Sequence, residues 1–228
     1  MQIALNDLAG YVAPEKVVLC EGGRVDGGRD FDAECYNEIF QSEYPHVVFL
    51  GAGNASDIEN DPRGVGRLLT ALAPDVEVAR VIDRDDRTDA EIQALQAKGV
   101  RVLSLRTIES YLLDGAVLEA MCRAFAKPEL APQLLEGKAA ALKASIDAGG
   151  PGDDLKRPAG DVYNVAKRLF PDNKLGSDSR AFMKGVCAPL IKPGTPLYER
   201  LRRDIFGVVT EQVAGQQVAP ADAAPRRG

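Results

Sequence analysis

Short apolar runs alternate with helix-periodic segments through the first half of the chain. The runs KVVLCE (16–21), HVVFLG (46–51), VEVARVID (76–83) and VRVLSL (100–105) are β-branched and nearly continuous in hydrophobicity, while amphipathic patterns fill about 29–42, 63–73 and 88–98. Strands that are apolar on both faces, separated by helices, predict βαβ units: a mainly parallel, Rossmann-like α/β sheet covered on both sides. From about residue 107 the pattern turns helical, through TIESYLLDGAVLEAMCRAFA, ELAPQLLEGKAAALKASIDA, DVYNVAKRLF, SRAFMKGVCAPLI and PLYERLRRDIF. The chain is therefore divided into an α/β core over 1–114, a helical appendage over 115–212 and a tail over 213–228. The tail has too few apolar residues to bury and is expected to be disordered. Between the second and third helical segments, GGPGDDLKRPAG reads as a mobile loop.

Composition narrows the chemistry. With 228 residues, 45% hydrophobic and 27% charged, the chain has the make-up of a soluble protein with one sizeable core. It has no apolar run long enough to span a bilayer and no signal-peptide pattern at MQIALNDLAG, so a cytoplasmic location is expected. Cys20, Cys35, Cys122 and Cys187 are irregularly spaced with no C-x-x-C pair, which predicts buried reduced thiols. A single histidine, His46, excludes a histidine-rich metal site and leaves no obvious Ser-His-Asp triad, so any metal must be hard and oxygen-bound. The net charge of −6 argues against coating nucleic acid with a basic surface but leaves room for a nuclease with local cations.

The acids are arranged in a pattern. In a parallel sheet, reactive groups collect at the carboxyl ends of the strands. Glu21 ends the first run ahead of a glycine-rich loop carrying Asp26, the third run ends in Asp83 and continues to Asp85, and Glu109 opens the helix after the fourth. Residues two apart in extended backbone point the same way, so Asp83 and Asp85 are expected to face one ligand. A pocket holding these acids calls for Mg²⁺ or Mn²⁺ to offset their repulsion. Each acid also has an ordinary explanation: a solvated turn for the D-x-D, an i,i+3 ion pair between Arg106 and Glu109, and a turn-forming role for Asp26.

Glu-Gly in VVLCEGG, the D-x-D in VIDRDD and the segment RTIESYLL, in that order over about residues 15–114, resemble the Toprim domain. They are most similar to the C-terminal Toprim domains of OLD (overcoming lysogenisation defect) family ATP-dependent endonucleases. Further along, FMKG (182–185) is similar to a lysine-glycine segment of those proteins. The resemblance implies hydrolysis of DNA phosphodiester bonds with two Mg²⁺ or Mn²⁺ ions. Glu21 would be a metal ligand or general base, Asp83 and Asp85 ligands, Glu109 a ligand of the second ion, and Lys184 a stabiliser of transition-state charge. The loop aspartate, Asp26, falls one residue later than the family spacing, which makes Asp30 a possible substitute. No phosphate-loop motif occurs, so an ATPase, if one acts with this chain, is expected on another domain or subunit.

Arg24, Arg29, Arg84 and Arg87 on the edge loops, with Arg200, Arg202 and Arg203 of YERLRR, are candidates for sequence-independent contacts to the DNA backbone. Two other functional classes compete: a dinucleotide-binding module, suggested by G-x-G in VVFLGAGNAS, and a degenerate domain kept for interaction.

Overall fold

The computed structural model describes residues 14–22, 30–60 and 64–207. Four strands, β1 (Lys16–Cys20), β2 (Val47–Gly51), β3 (Glu77–Ile82) and β4 (Val100–Val102), form one sheet in the order β2-β1-β3-β4, and every pair is parallel. Val18, at the centre, lies between Phe49 and Ala79 in register. The helices between strands are α1 (Phe31–Phe40), α2 (Ala55–Asn60), α3 (Val65–Leu72) and α4 (Asp89–Ala97). The expected α/β, Rossmann-like sheet is thus the observed one.

Strand alternation divides the core. On one face Val18, Cys20, Phe49, Val81 and Leu103 pack against Cys35, Tyr36, Ile39 and Phe40, which recur along one side of α1. On the other, Ile82, Val100 and Val102 meet Ile58 of α2 and Leu95 of α4. The outer edge of β2 is not left open, because Asn37 of α1 accepts from Phe49 N at 3.0 Å and donates to Phe49 O at 3.1 Å. Asp89 opens α4 behind Thr88, whose hydroxyl and amide are exchanged with Glu91 in a capping box.

The second half continues with α5 (Ile108–Leu112), α6 (Gly115–Ala124), α7 (Ala131–Asp147) and α8 (Ala159–Leu169), then α9 (Ser179–Phe182) leading into a π-helical turn, Met183–Cys187, and finally α10 (Pro196–Phe206). Its apolar residues belong to the same buried cluster as α1 and the sheet. The long helical pattern from 107 is broken at Asp114, whose carboxylate accepts from Ala116 N at 2.8 Å and restarts the helix as α6. α10 is tied to the end of β4 by Asp204, which accepts from Ser104 N (2.9 Å), Ser104 Oγ (2.8 Å) and the Tyr111 hydroxyl.

The segment expected to be a mobile loop is anchored: Asp153 accepts from Arg106 Nε at 2.7 Å and Leu155 is buried. All four cysteines are free and buried, as their spacing suggested. No helix among the described residues is long and apolar enough to cross a membrane. The tail over 213–228 lies outside the described residues.

Candidate active site

The chain leaves β1 toward β2 on one side and leaves β3 toward β4 on the other, so the crevice of this sheet opens between the carboxyl ends of β1 and β3. Glu21 is the first residue after β1 and Asp83 the first after β3. The Glu21 carboxylate accepts from Asp83 N at 2.9 Å. That bond takes an amide on the β1 side of β3, since Ile82 O on the other side accepts from Leu103 N, and the strand stops at Ile82, one residue short of the expected end. The next two amides, of Arg84 and Asp85, both donate to Arg106 O, at 2.9 and 3.1 Å. The β3 turn and the lead-in to α5 are therefore fastened to each other.

The β1 turn is fixed by glycine. Gly22 has φ 115° and exchanges two backbone hydrogen bonds with Gly53, of 2.7 and 2.9 Å. Asp30 packs directly over Gly51, where a Cβ would stand 2.6 Å from Asp30 Cγ.

Around this edge four carboxylates act on one another. Asp83 and Glu109 are only 3% and 5% exposed. Burial, then the charges of Asp32, Glu21 and Glu109, push the Asp83 carboxyl up to about 9. Burial and Glu109 push Asp32 up to about 7. Burial also raises Glu21, against the hydrogen bond from Asp83 N. Glu109 does not pair with Arg106, which instead donates to Asp86 and Asp153. Among the described residues its Oε2 is buried without a hydrogen-bond partner, as are Thr107 Oγ1 at the start of the same short helix and Ser110 Oγ on it. Among the described residues, the cation that acts on all four is Lys156. Burial alone would lower it, but Glu109, Asp83, Asp32 and Glu21 together raise it.

Asp85 behaves differently from the expectation. Its φ of 48° takes it out of extended backbone, so strand alternation does not aim it with Asp83. Its carboxylate is about half exposed and lies 3.4 Å from Arg87, yet it is close enough to raise Glu21. Asp86 is a solvated turn residue on Arg106.

The candidate cations are also redistributed. Lys184 sits on the π-helical turn, which packs against both α1 and α5, but its ammonium meets Glu34 at 2.7 Å and not the strand-end acids. Arg87 is held by Asp83 O (2.9 Å) and Glu59 (3.2 Å), while the Arg84 side chain meets Asp89 at 3.4 Å. Arg200 donates to Ser104 Oγ at 2.7 Å. Arg202 hydrogen-bonds Glu199 at 2.8 Å and Tyr44, in the turn that leads into the amino end of β2, so it lies away from the carboxylate edge. Arg203 is exposed on the same helix. Arg24, Asp26 and Arg29 lie outside the described residues.

Sequence reasoning missed Asp32 and Lys156. Asp32 was accessible by the rule that found Glu109, since it opens the helix following a strand. Lys156 was hidden in a stretch whose glycines and prolines resemble a linker.

The donor set fits a hard divalent ion in its chemistry: every donor is a carboxylate, Glu109 Oε2 lacks a partner among the described residues, and burial and mutual repulsion push Asp83 and Asp32 up, which favours protons that a cation would displace. Among the described residues, however, no three of His, Cys, Asp and Glu are grouped closely enough to hold a metal. The acids are coupled through charge, not gathered around one point.

The Gly51–Gly53 turn is a poor phosphate cradle. Asp30 covers Gly51, and Asp57 fills the space at Gly53 while accepting from Asn54 N at 3.1 Å. Comparison with known proteins yields no matching family model, curated protein or solved structure.

Proposed function

We propose that this chain is a divalent-metal-dependent nuclease domain of Toprim type, most like that of the OLD endonucleases, hydrolysing DNA phosphodiester bonds inside the cytoplasm. The observation that carries the reading is the coupling through charge of Glu21, Asp83 and Glu109, which come from three separate segments, with Asp32 at the switch point of the sheet, Asp83 and Glu109 being buried. Buried carboxylates that repel one another cost stability, and a fold keeps them where a cation or a proton is needed. Two Mg²⁺ or Mn²⁺ ions would supply activation of water and neutralisation of phosphate charge.

The chain's own residues have distinct parts in this reading. Glu21, held by Asp83 N, would be the base and a ligand, while Asp83 and Glu109 would be ligands, with Asp85 at the solvent side. Lys156 limits the repulsion among them, and Lys184, from its pair with Glu34, would oppose charge on the phosphate. Arg84, half-buried on the β3 turn, is a described arginine placed for a backbone contact at this edge. The dinucleotide reading is disfavoured by the carboxylates of Asp30 and Asp57 over the glycine turn.

A plasmid-nicking assay with Mn²⁺ or Mg²⁺ tests the proposal. Wild type should convert supercoiled DNA to nicked or linear forms, and Glu21→Gln should slow this by roughly a hundredfold or more. Absence of metal-dependent cleavage of DNA by wild type would overturn it.

A further inference from the structure

A second feature borders the acids. Phe31, Glu34, Ser177, Ser179, Arg180 and Lys184 line a cavity of about 610 Å³ between the first turn of α1 and α9. Phe31 and Asp32 are consecutive: the ring lines this cavity while the carboxylate belongs to the acidic group. Arg180, on the opposite wall, is near enough to Asp32 to act on its charge. Cavity and carboxylates therefore share a border one residue wide.

The cavity's own acids are already engaged. Glu34 is held by Lys184 at 2.7 Å, and Asp178 accepts from Ser177 Oγ at 3.0 Å and from Ala181 N at 2.9 Å as the cap of α9. Arg180 makes no ion pair within 4.0 Å among the described residues, and its exposed guanidinium lies over the Phe31 ring at 5.7 Å. An aromatic ring facing an exposed guanidinium, with hydroxyls beside them, presents a stacking surface, a positive charge and polar edges. A nucleotide offers the matching base face, phosphate and hydrogen-bonding edge. Within a duplex both faces of each base are covered by its neighbours, so only an unpaired nucleotide can lay a face on Phe31.

We infer that this cavity is a subsite for one unpaired nucleotide flanking the scissile phosphodiester, its base inserted between Phe31 and the Arg180 guanidinium. The inference rests on the nuclease reading and narrows its substrate class to single-stranded or unpaired ends. Insertion requires only that the exposed Arg180 side chain swing outward, because Phe31 is backed by the core.

The chain has no tryptophan, so Phe31→Trp places a single reporter in the cavity. It is titrated with a short oligothymidylate and with a blunt duplex in EDTA, where nothing is cleaved. Saturable quenching by the oligothymidylate and none by the duplex is expected. No quenching by the single strand, or equal quenching by both, overturns the subsite. A second arm leaves Phe31 intact: fluorescence anisotropy of labelled oligothymidylate should show about tenfold weaker binding to Arg180→Ala, at the scale of one lost stacking contact. Unchanged affinity also overturns it. The two readings fail separately. Metal-dependent cleavage by wild type without quenching removes the subsite and keeps the nuclease, whereas quenching without cleavage keeps the nucleotide site and removes the nuclease.

Discussion

Replacing Asp83 with asparagine removes a negative charge from the buried acidic group at almost no change in shape, and stability should rise. The Asp83 carboxyl is pushed from an ordinary 3.8 to about 9 by burial, then by Asp32, Glu21 and Glu109. The folded chain therefore binds this proton more tightly than the unfolded chain does. The stability that proton confers is complete below pH 3.8, declines as pH rises through the interval, and is gone above about 9. At roughly 1.4 kcal/mol for each tenfold, the decline reaches about 4 kcal/mol by pH 7 as an upper bound. Because Asp32, Glu21 and Glu109 share the repulsion, one substitution should recover roughly 2 to 4 kcal/mol of it. For a chain of this size that is about 5 to 15 °C in Tm. Thermal melts in EDTA between pH 4 and 9 are the assay: Asp83→Asn should match wild type near pH 4 and pull ahead steadily above it. Asp86→Asn is the internal control, since its hydrogen bond to Arg106 lowers the Asp86 carboxyl and the substitution should weaken the protein at neutral pH and not at low pH. A Tm difference for Asp83→Asn that is flat with pH, or a loss of stability at pH 8, would refute the electrostatic reasoning.

Divalent ions should supply the missing positive charge, so Mn²⁺ at a hundred times Kd should stabilise the wild type by about 2.7 kcal/mol and raise its Tm, and Asp83→Ala should lose that rise in the same melts. Gly51→Ala would place a methyl 2.6 Å from Asp30 Cγ and 2.7 Å from Gly22 O, and urea unfolding should show a loss of roughly 1 to 3 kcal/mol; a neutral result would contradict this close approach. Tyr111→Phe leaves Asp204 one donor short in the junction between α10 and β4 and should cost about 1 to 3 kcal/mol by the same measurement. Lys184→Ala should slow single-turnover cleavage about a hundredfold while leaving the Mn²⁺-dependent rise in Tm unchanged, and a rate within a few fold of wild type would confine Lys184 to its pair with Glu34.

The sheet was legible because parallel strands buried on both faces must be apolar throughout, and the runs at 16–21, 46–51, 76–83 and 100–105 had no other economical reading. Each contains one observed strand, and Glu21, Asp83 and Glu109 reached the expected edge for the same topological reason. What was not legible depended on local geometry. Asp85 was placed by alternation, a rule that ends where β3 ends, and the capture of Asp83 N by Glu21 ends it at Ile82. The six-residue α2 escaped notice because its start depends on the reciprocal bonds between Asn54 and Asp57, which periodicity does not report. Lys156 is drawn to the site by Arg106 holding Asp153, a contact 47 residues apart in the chain. Lys184 was expected at the acids and instead meets Glu34, an acid in α1 that no motif singled out.

Isothermal titration of Mn²⁺ at pH 7, repeated in two buffers of different ionisation enthalpy, tests most directly whether these acids are kept for a divalent cation. With Asp83 near 9 and Asp32 near 7, the metal-free site carries protons that a metal must expel. Saturable binding accompanied by release of about one to one and a half protons is expected, with Asp83→Asn losing most of the release and most of the affinity. Binding with no proton release, or binding that survives Asp83→Asn unchanged, would place the ion elsewhere and contradict the account.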